Sequence, residues 1–241
     1  MEECFSIKID RVFPVLYTGL LVVLGCTAVP SPIPIRDEPA ILVDVAYDAR
    51  AGSGHSHPAR IKETHLLAAL TGLELQGRDV TGTLEILDHE LVSPAFTDKT
   101  AGVLVPLLIE GLRKASPKDL VRFYLVQRDP QRGPLISSGG LFVRNRHLYI
   151  ILANGRTSPS SVQYENTYEF NPRLDPLLPI VRLKFKTAFV PEDWRVATEE
   201  AKRTDGWDGY LDESKVVVLD LDLLAQNEGK ARKPARQVPA F

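Results

Sequence analysis

LVRFYLVQRDPQRGPLISSGGLFVRNRHLYIILA, residues 120–153, is the stretch whose reading decides the fold. Over 120–127, Val121, Phe123 and Leu125 alternate with Arg122, Tyr124 and Val126, the period of a strand. Residues 129–134 carry turn chemistry. Asn145-Arg146 then separates two further runs, 135–144 and 147–153, closely enough to form a tight hairpin. Asn154-Gly155 is expected to close that pair. Three strands joined in succession by short connections make an antiparallel meander.

The rest of the chain extends this reading on both sides. Upstream, residues 98–114 place Ala101, Leu104, Val105, Leu108, Ile109 and Leu112 on one helical stripe. Thr97 or Asp98 can cap that helix, and Arg113 and Lys114 suit its carboxyl end. Pro106 removes the hydrogen bond to the carbonyl of Gly102, which predicts a kink or a start near Val103. Residues 61–70 read as a shorter helix, and 40–47, 73–76 and 82–92 as strands.

Downstream, 164–170 is another strand, and 180–189 has the cleanest alternation in the chain. There Val181, Leu183 and Phe185 face one way, and Arg182, Lys184 and Lys186 the other. Pro191, Glu192 and Asp193 predict a helix reaching residue 203. The stretch 215–223 predicts a last strand with Asp220 and Asp222 outward, in one sheet with 180–189 and with the charged faces on the same side. The expectation is an α+β fold, a largely antiparallel sheet with a few helices, forming one domain over 40–225.

The amino terminus carries a different message. Lys8 and Arg11 precede an uncharged run over 12–25, and Cys26 follows. A basic flank, an apolar core and a small residue form the layout of a secretory signal peptide. The run is shorter than the ~20 residues a spanning helix needs. A buried core helix is the competing reading, but Val22-Val23 and the proline-rich stretch after Cys26 suit it poorly.

Val23-Leu24-Gly25-Cys26 resembles the lipobox of bacterial lipoproteins. The resemblance implies removal of residues 1–25, lipid on the Cys26 thiol and a membrane anchored through that lipid. Leu24, where Ala, Ser or Thr is more usual, leaves ordinary cleavage as the alternative. Thr27, rather than Asp, after the cysteine implies the outer membrane, with the cell membrane as the alternative. Pro30, Pro32, Pro34 and Pro39 make residues 26–39 an expected semi-rigid tether in polyproline II.

Composition narrows the function classes. The chain is 44% hydrophobic and 25% charged, which excludes disorder throughout. Its net charge of −2 gives no general attraction for nucleic acid. Of the two cysteines, Cys4 would leave with the signal, so neither a disulfide nor a thiolate metal site is expected. The end, 226–241, reads as a basic tail holding Lys230, Arg232, Lys233 and Arg236.

Candidate sites are few. His55 and His57, in a Gly/Ser loop expected to be flexible and solvated, could supply two imidazoles to a metal, half of a closed site. Asp205, Asp208 and Asp212 gather as in calcium loops, though not with EF-hand spacing. The stretch from Ser137 to Gly140 could form an amide-lined loop, and Gly139-Gly140 within a strand equally marks a bulge. Arg182, Lys184 and Lys186 form a basic stripe open to a polyanion, or an ordinary solvated face. With no nucleophile elbow, His-Glu-x-x-His or phosphate loop, no cofactor is expected. The reading favours a binding or assembly module with an envelope protein or polymer as partner. An envelope hydrolase or metal enzyme built near His55 and His57, or near Ser137 to Gly140, is the alternative.

Overall fold

A computed structural model describes residues 29–77, 91–130, 133–158, 171–180, 185–205 and 213–226. Nine strands and four α-helices follow one another among them: β1 (Ile33–Glu38), β2 (Ile41–Tyr47), α1 (Glu63–Thr71), β3 (Leu73–Gly77), β4 (Leu91–Pro94), α2 (Asp98–Lys114), β5 (Asp119–Asp129), β6 (Gly133–Arg144), β7 (His147–Thr157), β8 (Lys186–Phe189), α3 (Thr198–Asp205), β9 (Val216–Asp220) and α4 (Leu221–Gln226). They form a six-stranded sheet in the order β1-β2-β5-β6-β7-β9 and a three-stranded sheet, β4-β3-β8. Every pairing is antiparallel, so the α+β expectation holds.

The meander is the centre of the large sheet. β5 pairs with β6 from Val121↔Leu141 to Asp129↔Gly133, and β6 turns into β7 at Asn145-Arg146. Asn145 sits at φ 54°, a left-handed conformation that asparagine tolerates. β7 does not stop at Asn154-Gly155; it runs to Thr157 across a bulge where the register shifts on both sides of Ser138. At that bulge a Cβ on Gly139 would lie 1.9 Å from the Ile151 carbonyl oxygen, so only glycine fits.

Helix α2 lies on one face of this sheet. Thr97 Oγ1 accepts from Thr100 N at 3.2 Å and Thr100 Oγ1 accepts from Thr97 N at 2.9 Å, a reciprocal cap that fixes the start at Asp98. Pro106 does not delay that start. It and Gly102 both face solvent, where water can serve the carbonyl that proline leaves unbonded. The buried stripe Leu104, Leu108 and Leu112 meets Leu66 and Leu70 of α1 and Val43, Val121, Phe123, Leu141, Leu148 and Ile150 of the sheet. Each such leucine contributes ~1.5–3 kcal/mol of burial.

Several expectations need correction. Residues 33–38 are not tether but β1, an exposed edge strand on β2; Pro34 is accommodated there because an edge with a register irregularity needs no donor from it. Residues 215–223 are not one strand. β9 ends at Asp220, whose carboxylate accepts from Asp222 N at 2.8 Å and Leu223 N at 3.3 Å and so caps α4. Asp220 is buried rather than outward.

The described strand of 180–189, β8, is likewise not in one sheet with β9 but in the three-stranded sheet, and 181–184 lie outside the described residues. In place of one helix over 191–203 there is a single 3-10 turn, Glu192–Trp194, then an extended link at Arg195 and Val196, then α3. The expected strand at 164–170, most of that at 82–92 and the tail from 227 onward lie outside the described residues.

Candidate functional site: a buried histidine and aspartate cluster

The loop carrying His55 and His57 leaves Gly52, Ser53 and Ser56 exposed but turns both histidines inward, where they are buried and not solvated. The pairing of β5 to β6 stops at Val121↔Leu141, while β6 continues to Arg144, so Val143 has no strand partner on that side. Residues 48–57 take the vacant place. Ser56 N donates to Val143 O at 2.7 Å, Val143 N donates to His57 Nε2 at 3.0 Å, and His55 N donates to Pro117 O at 2.7 Å. Asn145 N donates to Ser56 Oγ at 2.8 Å, fastening the loop to the hairpin turn. His55 and His57 are left 5% and 6% exposed.

The hydrogen bonds fix what each ring can do. His55 Nε2 donates to Asp48 Oδ2 at 2.8 Å. A backbone N–H can only donate, so His57 Nε2 must hold a lone pair toward Val143, and the neutral ring carries its proton on Nδ1. Burial, and then charge on the neighbouring His55, lowers the His57 pKa to about 4, with Asp119 opposing weakly through its charge and its backbone. With its one lone pair spent on Val143, neutral His57 offers no nitrogen to a metal. The paired imidazoles therefore do not make a metal site. Among the described residues no three His, Cys, Asp or Glu side chains converge on a possible ion.

A second group lies on the same side of the sheet. Asp205, the last residue of α3, accepts from Asn145 Nδ2 at 2.6 Å, from His147 Nδ1 at 2.7 Å and from the Tyr149 hydroxyl. Burial pushes its carboxyl upward, but the bonds from Tyr149, His147 and Asn145 outweigh this and hold it below the usual carboxylate range. Burial, reinforced by Asp205, raises the Tyr149 hydroxyl, while Arg144 opposes. Phe142 joins the two groups, stacked on Tyr149 at 4.6 Å and lying 4.1 Å from the His55 ring. The sequence pattern places Asp205 in a calcium-type loop, but both its oxygens accept from protein donors, and 206–212 lie outside the described residues.

Ser137 to Gly140 lies several residues back along β6, toward the opposite end from the histidines. Ser138 Oγ donates to Pro176 O at 2.8 Å and accepts from Asn154 Nδ2 at 2.7 Å, and Ser137 Oγ accepts from Arg156 N at 3.1 Å. Both serines are fully buried, so this is the bulge reading, not an open amide loop. Lys186 is exposed on β8; Arg182, Lys184 and Cys26 fall outside the described residues. The sequence reading missed Asn154, His147, Tyr149 and the bidentate Arg122–Asp44 pair (2.9 and 2.7 Å), all on the sheet face away from α2. Their one visible signal is a polar side chain interrupting an apolar strand.

One accessible concavity involves the same loop. Pro58, Arg60 and Arg113 line an open cleft of ≈ 390 Å³, where Ala59 N donates to Leu112 O at 2.9 Å and draws the loop onto the end of α2. Both arginines are exposed, with no hydrogen bond or ion pair to the described residues.

Fold and site together define an antiparallel α+β protein whose second sheet face is sealed by irregular chain braced on buried polar side chains. Comparison with protein-family models, with curated proteins and with solved structures found no match.

Proposed function

We propose that the chain is a lipid-anchored envelope protein whose domain is a non-catalytic binding or assembly module. The observation that carries this reading is how the reactive side chains are used. His55, His57, His147, Ser137, Ser138 and Asp205 are all buried and hold the fold together. The two places considered for an active site lie apart on β6 and do not converge on a shared pocket. What remains for a partner is accessible surface, and the cleft at Arg60 and Arg113 suits an anionic group on an envelope protein or polymer.

Lipid on Cys26 would hold the domain on the periplasmic face of the outer membrane. Because β1 begins at Ile33, the free tether is short: six residues, 27–32, reach about 20 Å at most. The partner is therefore expected close to the lipid surface. No helix among the described residues is long and apolar enough to cross a membrane, and the run at 12–25 is not among them.

Two measurements test the reading. A fatty-acid analogue fed to cells should label wild type and not Cys26→Ala; no label in either sinks the anchor. Crosslinking in intact cells should then trap a discrete partner that is lost in Arg60→Glu/Arg113→Glu. A partner retained by that variant would remove the cleft from the argument.

A further inference from the structure

We propose that residues 48–57 form an acid-released clip, in which a proton taken up at His57 Nε2 abolishes the bond from Val143 N–H and frees the segment from the end of β6. A protonated Nε2 would turn its N–H against the Val143 N–H, two donors facing each other in a buried place. The ring would lose the bond and gain an unpaired charge in one step.

Among the described residues no carboxylate bonds the His57 ring, and the charge of nearby Asp119 favours the protonated ring without outweighing burial. The charged groups around the segment are Lys118 and Asp119 at the start of β5 and Arg144 at the end of β6, with Asp48, Arg50 and His55 within the segment itself. Asp48 is taken by His55 Nε2 and by Arg50 N, the latter at 2.8 Å. Asp119 Oδ2 accepts from Ser116 N at 2.8 Å. Lys118 donates to Gly52 O and Arg144 to Ser53 Oγ, so the near cations already sit on the clip. The His55 ring lies 5.6 Å from the His57 ring and offers it no negative charge.

The direction follows from linkage. The closed clip holds His57 near pKa 4, and a released imidazole returns toward the model value of 6.5. Release is therefore favoured as pH falls from 6.5 to 4 and levels off below. The ratio of open to closed rises about 15-fold between pH 6.5 and 5 and about 80-fold by pH 4. Opening would uncover Phe142, now fully buried against His55, and would loosen the segment leading to Arg60.

Amide hydrogen exchange on the full chain, expressed as protection factors so that intrinsic pH effects cancel, tests this. Protection at Ser56, Val143 and Asn145 should fall by the stated factors between pH 6.5 and 4, while Leu108 and Leu112 in α2 stay protected. His57→Gln, whose amide oxygen can accept the Val143 bond without titrating, should remove the pH dependence at those three amides. Protection that is unchanged in wild type, that falls together with α2, or that falls equally in His57→Gln overturns the clip. If the variant does not fold, the wild-type His57 ring signal decides: its titration must coincide with the loss of protection, and a ring that stays neutral through that loss refutes the proposal.

Discussion

The two faces of the six-stranded sheet solve the same burial problem in different ways. Toward α1 and α2 the face is apolar apart from the buried Ser137 opposite Leu125, with Val43, Val121, Phe123, Leu141, Leu148, Ile150 and Leu219 in the core shared with the helices. A helix satisfies its own backbone, so its cover needs nothing from the sheet but shape. The opposite face holds Leu120, Phe142, Tyr149, Ile151, Val216 and Val218 mostly under irregular segments, 48–57, 171–180 and 195–197, with the short helix α3 adding Ala201. Irregular chain has unpaired N–H and C=O groups, and the sheet must supply their partners. Asn154 bonds Leu178 O and Ile180 N and Ser138 bonds Pro176 O, while in the reverse direction His57 of the cover takes Val143 N of the sheet. The polar residues of this face stand in for secondary structure.

The comparison can be broken most severely where the faces share a strand. Gly139→Ala would drive a methyl to within 1.9 Å of the Ile151 carbonyl oxygen, and backbone cannot yield as a side chain would. The expected cost exceeds about 4 kcal/mol, a large part of a domain's stability, read as loss of soluble protein or of the cooperative transition. A midpoint near wild type would show that β6 and β7 are not paired through this bulge. On the helix side, Leu108→Ala should cost ~2–5 kcal/mol, because the side chain is fully buried among other leucines. Ile109→Asp should cost more, since it also buries a charge. Unchanged denaturation midpoints would remove α2 from the core.

The legibility of the chain follows the same division. Helix α2 can be read to the residue, and the meander nearly so, because regular elements print their period and caps in the sequence. Failures gather where tertiary context overrides a local signal. Pro32 and Pro34 say polyproline, yet an open sheet edge accepts Pro34 without losing a ladder bond. Asp220 alternates like a strand residue, but it is also a cap residue ahead of Leu221, and the cap prevails. His55 and His57 lie in Gly/Ser-rich sequence that looks solvated. Their burial depends on the gap that β5 leaves beside Val143, and no window around residue 55 contains that fact. The Asp205 group joins Asn145, His147 and Tyr149 across some 60 positions, with nothing local to announce it.

If polar side chains on the second face serve its cover, they should differ from polar pairs that serve only each other. Asn154→Leu leaves the part-buried Leu178 O and Ile180 N without their partner and should cost about 1–3 kcal/mol. Arg122→Met should cost about 3–5 kcal/mol, because it strands the Asp44 carboxylate, which is 4% exposed. Replacing both, as Asp44→Leu/Arg122→Met, should return stability to within about 1 kcal/mol of wild type, since among the described residues the pair braces no covering backbone. A denaturation series decides it. A double variant as damaged as Arg122→Met would give this pair the same bracing role as Asn154 and erase the distinction.

The smallest expected effect has the opposite sign. Gly102 lies within α2 on its solvent face, and a Cβ there meets nothing within 4 Å. Alanine in an exposed helix interior restricts the unfolded chain more than glycine does, so Gly102→Ala should stabilise by about 0.5–1 kcal/mol. The complication is Pro106, whose ring crowds the carbonyl of the residue four before it, which is Gly102 itself. If α2 keeps helical dihedrals through this turn, alanine is tolerated and the midpoint rises with the denaturant slope unchanged. If proline instead forces residue 102 into a conformation that glycine alone relieves, the midpoint falls. The sign of one small shift thus reports whether the helix-covered face is as regular at Pro106 as its buried stripe requires.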